Sequence, residues 1–251
     1  MDRARDLGLT AIEIHRSLPS TSDRARAWIR EGVAPPAAVV AREQTAGRGR
    51  GGKEWASGVD LGVWMSVIVE SVGPEVDRLV PLRTGLGLAQ RLSALLDPDA
   101  PAGAPPAILL KWPNDLWSER GKVGGILCET VRDRIVAGIG INLVAPEVDA
   151  PYPVAGIGPV EPLEVIRAGI EAVKDAVAHR SGTLHPAELE AWGRRDLLSG
   201  RRVAVEDGSW GLARGIDPHG HLVLAGPGGG RRTLTRGSVR PVDGDTWTSG
   251  S

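Results

Sequence analysis

Phenylalanine is missing from this 251-residue chain, tyrosine and cysteine occur once each, and lysine occurs four times. Each scarcity excludes something. The single cysteine, Cys128, cannot close an internal disulfide or build a thiolate metal site, which fits a reducing compartment. It reads as a small residue buried in a strand. The histidines (His15, His179, His185, His219 and His221) are scattered and show no metal-ligand spacing, and a histidine-based triad finds no support. Formal net charge is −1, so no global basic field attracts nucleic acid or an acidic membrane. No run approaches the roughly 20 apolar residues of a spanning helix, and the N-terminus has no apolar core ahead of a cleavage site. The chain reads as soluble and cytoplasmic.

What is present is ordinary globular material, 41% hydrophobic and 24% charged, enough to bury a sizeable core in one large domain or one large plus one small. Alternation predicts strands over 11–15, 61–70 and 134–144, a short apolar run predicts one over 37–41, another over 108–111 is stopped by Trp112-Pro113, and a hairpin pairs 115–118 with 122–131. Steps of three and four predict helices from about 20 to Ile29, over 82–96 and over 163–177, with another opening at Pro186 and ending near Leu198. From Arg201 the texture changes to short strands at 202–206, 210–216, 221–225, 231–235 and 238–242, the pattern of a small SH3-like β-barrel. The last eight residues, 244–251, read as a disordered tail.

Two stretches stand out. Residues 47–53 hold four glycines and three cations, a loop that costs much backbone entropy to order and whose amides can approach an anion or a flat ligand. Residues 108–130 hold two of the four lysines, Lys111 and Lys122, in a chain with 26 arginines. Lysine is a compact point charge on a flexible stem, and arginine a rigid fork. On counting alone, these lysines are equally well solvated strand ends. Between them Trp112-Pro113 stops a strand and sets Asn114 and Asp115 at a rigid corner. The strand at 134–144 bares Gly138, Gly140 and Asn142 on one face, which leaves room for something flat. Ser20, Thr21 and Ser22 read first as N-capping hydroxyls.

Gly47 to Lys53 matches a phosphate loop up to the lysine, but Glu54 stands where the Mg²⁺-binding hydroxyl belongs and no helix follows. An RNA-binding Arg-Gly segment is disfavoured because the run is short and lacks interleaved aromatics. What remains is a site of cations, amides and one carboxylate, suited to stabilising phosphoryl charge.

Four segments, Gly47-Arg48-Gly49-Arg50-x-Gly52, Lys111-Trp112-Pro113-Asn114-Asp115-Leu116, Lys122-Val123-Gly124-Gly125-Ile126-Leu127-x-Glu129 and Gly138-Ile139-Gly140-Ile141-Asn142, together resemble the motifs of the biotin protein ligases, in order and at compatible spacing. The resemblance covers about residues 12–243. It implies an α+β fold like that of class II aminoacyl-tRNA synthetases, a mixed β-sheet with helices on one face. A catalytic biotin/ATP-binding domain would span 1–198 and an SH3-like domain 199–243. It implies activation of biotin by ATP with Mg²⁺ to biotinyl-5′-AMP, then transfer to a lysine of a biotin carboxyl carrier protein.

Carried over motif by motif, Lys122, Asp115 and Lys111 become the catalytic set. Lys122 would draw carboxylate and α-phosphate together, and Asp115 would act as base or orienter for the acceptor amine. Lys111 and Asn114 would serve the phosphates and Mg²⁺, with no metal ligand set assigned. Ser20, Thr21, Gln44, Gly47, Arg48, Arg50 and Gly125 become biotin-binding. Lys53, Trp55, Asn114 and Asn142 become nucleotide-binding, although Trp55 reads equally as a core tryptophan. Gly51 and the lone Lys53 depart from the more basic loops of many members, which implies weaker clamping of the adenylate. The pattern starts by residue 12, leaving no room for the N-terminal DNA-binding domain that some members carry, so neither DNA nor membrane is expected as a partner. A homodimer is left open. A lipoate ligase and a non-catalytic ligand-binding module are the rivals; the segment from Lys111 to Asp115 speaks against the first, and retention of Lys122 and Asp115 against the second.

Overall fold

Strand-forming runs rich in valine and isoleucine assemble into a seven-stranded mixed sheet in the computed structural model, which describes residues 3–101, 103–226 and 229–242. The strands are β1 (Ala11–His15), β2 (Ala37–Ala41), β3 (Gly62–Glu70), β4 (Leu109–Lys111), β5 (Asp115–Ser118), β6 (Gly121–Val131) and β7 (Arg134–Asn142). Their order is β1-β2-β3-β7-β6-β5-β4. Only β1 and β2 run parallel; each later neighbour is antiparallel, and short hairpin connections join β4 to β5, β5 to β6 and β6 to β7.

Pairing of Met65 with Ile139 and Val67 with Ala137 aligns one apolar face of the sheet. Helices α4 (Val80–Leu96) and α5 (Pro162–Ala178) cover it, placing Leu88, Leu92, Ile170 and Val173 in one continuous core with those strand residues. The two long helices therefore lie on one face, as expected. The addition is α2 (Thr21–Glu31), whose Ala25, Trp28 and Ile29 seal Val39, Ile68 and Val136 on the opposite face. That is why β3, read as covered on one side at least, is buried on both. Short helices α1 (Arg3–Asp6) and α3 (Pro74–Asp77) complete the first part of the chain.

Helix α6 (Pro186–Gly193) ends earlier than its apolar spacing suggests. The chain beyond it is captured by the sheet: Leu110 N donates to Arg195 O at 2.7 Å and Leu197 N donates to Leu110 O at 2.9 Å. Backbone pairing along β4 covers an otherwise open edge, and it outweighs one more helical turn.

The remaining strands, β8 (Arg202–Val205), β9 (Trp210–Ile216), β10 (Leu222–Ala225), β11 (Arg231–Leu234) and β12 (Val239–Pro241), form an antiparallel sheet in the order β11-β10-β9-β8-β12. Among the described residues β11 and β12 are its two edges, so the barrel closure expected from the sequence is not among the pairings. Its inner face, including Val203, Ala213, Leu222 and Leu234, merges with the main core. The Trp112 indole N–H donates to Gly220 O across the junction at 3.0 Å. The tail expected over 244–251 lies outside the described residues.

Candidate functional site

Two of the sheet's central strands carry glycine where neighbouring positions carry valine or isoleucine. Gly125 on β6 pairs with Gly140 on β7, and Gly138 pairs with Ser66 on β3. This patch lies on the face α2 covers only in part, and it floors a cavity of about 790 Å³. Added Cβ atoms would collide here: at Gly140 the nearest atom is Trp55 Nε1, 2.7 Å away, and at Gly125 it is Trp55 Cζ3, 3.2 Å away. The flat group lying on the bared strands is thus the indole of Trp55. Its N–H is buried with no hydrogen-bond partner, a donor whose desolvation costs about 1–3 kcal/mol unless something accepts it.

The loop at 47–53 is held by its own backbone. Gly49 N donates to Lys53 O at 2.7 Å, and Trp55 N donates to Gly47 O at 2.9 Å. Gly51 and Gly52 take φ of 64° and 77°, in the left-handed region where a side chain is penalised. Arg48 reaches Asp23 on α2, and Arg50 donates to Asn114 Oδ1 at 3.2 Å and Gly237 O at 3.3 Å. Arg50 therefore straps the loop to the Trp112-Pro113 corner and to the C-terminal sheet at once.

The two lysines converge. Lys122 Nζ lies 2.7 Å from Asp115 Oδ1, and Lys111 Nζ lies 3.7 Å from Asp115 Oδ2. Neither is a solvated strand end, since Lys111 is 5% and Lys122 9% exposed. Burial draws the Lys111 ammonium below its ordinary pKa, Asp115 opposes that, and Lys122 and Arg50 add to it. One carboxylate facing two buried ammonium groups leaves an excess of positive charge that an incoming anion would neutralise. The Lys122 ammonium also sits 5.0 Å from the Trp55 ring and 5.5 Å from the Tyr152 ring. Two aromatic walls thus aim it toward the cavity.

At the other end of the cavity, Gln44 Oε1 accepts from both Thr21 N (2.8 Å) and Thr21 Oγ1 (3.0 Å). A side chain distant in sequence thereby satisfies a free amide at the start of α2. Ser20 holds the N-cap position but its hydroxyl makes no capping bond, so the capping reading is corrected. Ser66 donates to Thr21 Oγ1 at 2.8 Å and lies 3.1 Å from Ser22 Oγ, while Gln44 Nε2 donates to Ser57 Oγ at 2.9 Å. These groups form a hydroxyl and amide cluster suited to a flat, polar ring.

Of the residues singled out from sequence, Thr21, Gln44, Arg48, Arg50, Lys53, Trp55, Lys111, Asn114, Asp115, Lys122 and Gly125 line this one cavity. Ser20, Gly47 and Asn142 do not. Ser20 is buried at the N-cap of α2. Gly47 forms the loop base, where a Cβ would lie 2.4 Å from Trp55 O. Asn142 turns its amide to Ala155 O at 3.2 Å, with its Oδ1 buried and unpartnered. Sequence reading missed Tyr152 and the rim supplied by Glu206 and Arg240, which line the cavity, and Ser66, which holds Thr21. Tyr152 carried one faint signal, as the only tyrosine of the chain set in an irregular proline-rich stretch.

The model of the biotin/lipoate A/B protein ligase family matches residues 15–144. A biotin–[acetyl-CoA-carboxylase] ligase of Mycobacterium tuberculosis is 34% identical over 205 residues, covering 74% of this chain and 72% of that protein. One of Paracoccus denitrificans is 33% identical, covering 79% and 88%. Among solved structures, biotin protein ligase from Aquifex aeolicus in complex with biotin and ATP superposes with a TM-score of 0.74 at 24% identity, covering 92% of this chain and 99% of that one. The Leishmania major enzyme in complex with biotinyl-5-AMP gives 0.65 at 26% identity, over 90% and 98%.

Proposed function

Since the chain belongs to the biotin/lipoate A/B protein ligase family, we propose that the cavity carries out two successive displacements on biotin, as an ATP-dependent biotin–[acetyl-CoA-carboxylase] ligase. In the first, the biotin carboxylate attacks the α-phosphorus of ATP. The bond to the β-phosphate oxygen breaks, and pyrophosphate leaves with the bonding pair. In the second, a lysine amine of the carboxylase carrier attacks the acyl carbon, and AMP leaves as the amide forms.

The observation that carries this reading is the pair of buried ammonium groups on Asp115 at one wall of the cavity. Two negatively charged reactants repel. Lys122 can bridge carboxylate and α-phosphate, while Lys111 and Arg50 offset charge that develops on the leaving phosphates. Once the amine arrives, Asp115 can accept its proton or orient it. Thr21 and Gln44 supply polar contacts for the ureido ring, with Arg48 and the 47–53 loop over it. Trp55 and Lys53 serve the nucleotide, the indole N–H being the donor still without an acceptor. The closed loop would also keep water from a hydrolysable mixed anhydride.

Mg²⁺ fits this donor set only as a companion of ATP. Among the described residues no three His, Cys, Asp or Glu side chains cluster as ligands. Asn114 Oδ1, which accepts from Arg50 at 3.2 Å, would offer Mg²⁺ one protein oxygen beside the phosphate-binding cations, and Mg²⁺ would screen the phosphates that Lys111 also holds. Residues 1–198 act as the biotin/ATP-binding unit, and 199–243 as a cover closed onto it. No helix among the described residues is long and apolar enough to cross a membrane, in keeping with a cytoplasmic enzyme.

The deciding experiment is pyrophosphate release from ATP with biotin or lipoate as the acid. Release with biotin and little with lipoate is expected; the reverse order would assign the lipoate branch of the family, and release with neither would leave a binding module.

A further inference from the structure

The cavity's two ends are joined by a hydroxyl that lies outside it. Ser57 is buried and does not line the cavity. Its Oγ accepts from Gln44 Nε2 at 2.9 Å and donates to Trp55 O at 3.1 Å. One bond thus reaches the hydroxyl and amide cluster, and the other reaches the residue whose indole lies on the bared strands. Gly47 closes the knot: a Cβ there would lie 2.7 Å from Ser57 Oγ and 3.2 Å from Gln44 Nε2. Holding the two segments side by side does not require the hydroxyl, because Gln44 N already donates to Ser57 O at 3.0 Å.

Each hydrogen in the cluster has one place to go. Thr21 N can only donate, so Gln44 turns Oε1 to α2 and Nε2 to Ser57. Thr21 gives its one hydroxyl hydrogen to Gln44 Oε1, so its oxygen accepts from Ser66. Ser66 has then used its own hydrogen, and across the 3.1 Å contact with Ser22 it is Ser22 that donates. The direction is therefore unbroken from Ser22 through Ser66, Thr21, Gln44 and Ser57 to the Trp55 carbonyl. Bonds aligned head to tail polarise one another, so the loss of one weakens the rest. Ser22 and Trp55, the first and last members, both line the cavity. We propose that Ser57 is a positioning residue for adenylate formation, making the setting of the acid's ring against Gln44 and the setting of the nucleotide-binding indole a single event. The inference rests on the ligase reading of the cavity and adds a residue that touches neither reactant.

The test uses the full chain with Ser57→Ala, Ser66→Ala and both together, and reads biotin-dependent pyrophosphate release. Ser57→Ala keeps the backbone bond from Gln44 and leaves Lys122 and Asp115 in place. Its KM values for biotin and for ATP are each expected to rise about fivefold to tenfold, with kcat within about twofold of wild type. Ser57→Cys, close in volume but a weak hydrogen-bonding group, should show the same rise and replaces Ser57→Ala if that variant does not fold. Ser66→Ala breaks the same run from the other side, so the double variant should raise the biotin KM little more than the larger single change. Effects that multiply independently overturn the proposal, as does an unmoved ATP KM in Ser57→Ala or a loss confined to kcat. A wild type that released no pyrophosphate would refute the ligase reading instead. Hydrogen exchange of the ligand-free protein then decides the role of Ser57: exchange about tenfold faster in Ser57→Ala at both 19–24 and 47–55 supports it, and a change confined to 55–58 overturns it.

Discussion

Asp115 is a single carboxylate between two buried ammonium groups, and its removal has two separable consequences. Without it, Lys111 and Lys122 face each other with no counter-charge, and breaking such a buried pair costs about 3–5 kcal/mol of stability. Without it, the acceptor amine also loses its proton acceptor. Bound biotin and ATP bring negative charge that offsets the first loss, whereas nothing in the adenylate state replaces the second. Asp115→Ala is therefore expected to slow transfer to the carrier more than adenylate formation, measured as separate half-reactions; equal losses would remove Asp115 from the role of base. At this scale the sequence was informative where residue type was rare. Lysine in an arginine-rich chain pointed to Lys111 and Lys122, and a proline corner pointed to Asp115. It was silent on Ser66, because one serine on a strand face is indistinguishable from an ordinary polar position until α2 brings Thr21 to 2.8 Å.

Among the elements, the hairpin of β6 and β7 does most to shape the site, by withholding side chains. Gly140→Ala would place a methyl 2.7 Å from Trp55 Nε1, so the indole must move off the strands. The fold should persist, since the other face of β7 is unchanged. Affinity for ATP, read by isothermal titration, is expected to fall by about tenfold or more, the scale set by losing one buried aromatic contact; wild-type affinity would show that Trp55 does not form the nucleotide site. The glycine face was legible as room for a flat group. That the chain's own Trp55 lies there was not legible, since no periodicity links residue 55 to residue 140. Boundaries were legible to within a residue or two where alternation ran uninterrupted. They failed at α6, where a distant edge strand recruits the backbone after Gly193.

At the scale of the whole molecule, the junction between the two sheets contains Asp196, whose backbone bridges to Leu110 next to Lys111. Its Oδ1 accepts from Leu198 N at 2.9 Å, while Oδ2 is buried without a partner. Desolvation raises this carboxyl to about 6 against the opposing pull of the Leu198 and Ser199 amides. A folded pKa above the unfolded value means that the fold takes up a proton as pH falls through 6. Ionised Asp196 therefore costs stability above pH 6, and that cost is relieved between about pH 6 and 4. The shift corresponds to roughly 3 kcal/mol as an order of magnitude. Asp196→Asn should remove this dependence, so the Tm difference between variant and wild type should grow from pH 4 to pH 7; a constant difference would mean that the carboxyl titrates normally. The joining of both sheets through one core had no signature in the sequence, because alternation reports that a face is buried and not what buries it.

Adenylate formation depends most on Lys122, and single-turnover pyrophosphate release with biotin and ATP tests that role directly. Lys122→Ala is expected to slow that release by about 10²–10³-fold, the effect of losing one preorganised donor to developing charge, with the protein still folded by circular dichroism. A burst of near wild-type rate and amplitude from that variant would contradict the mechanism.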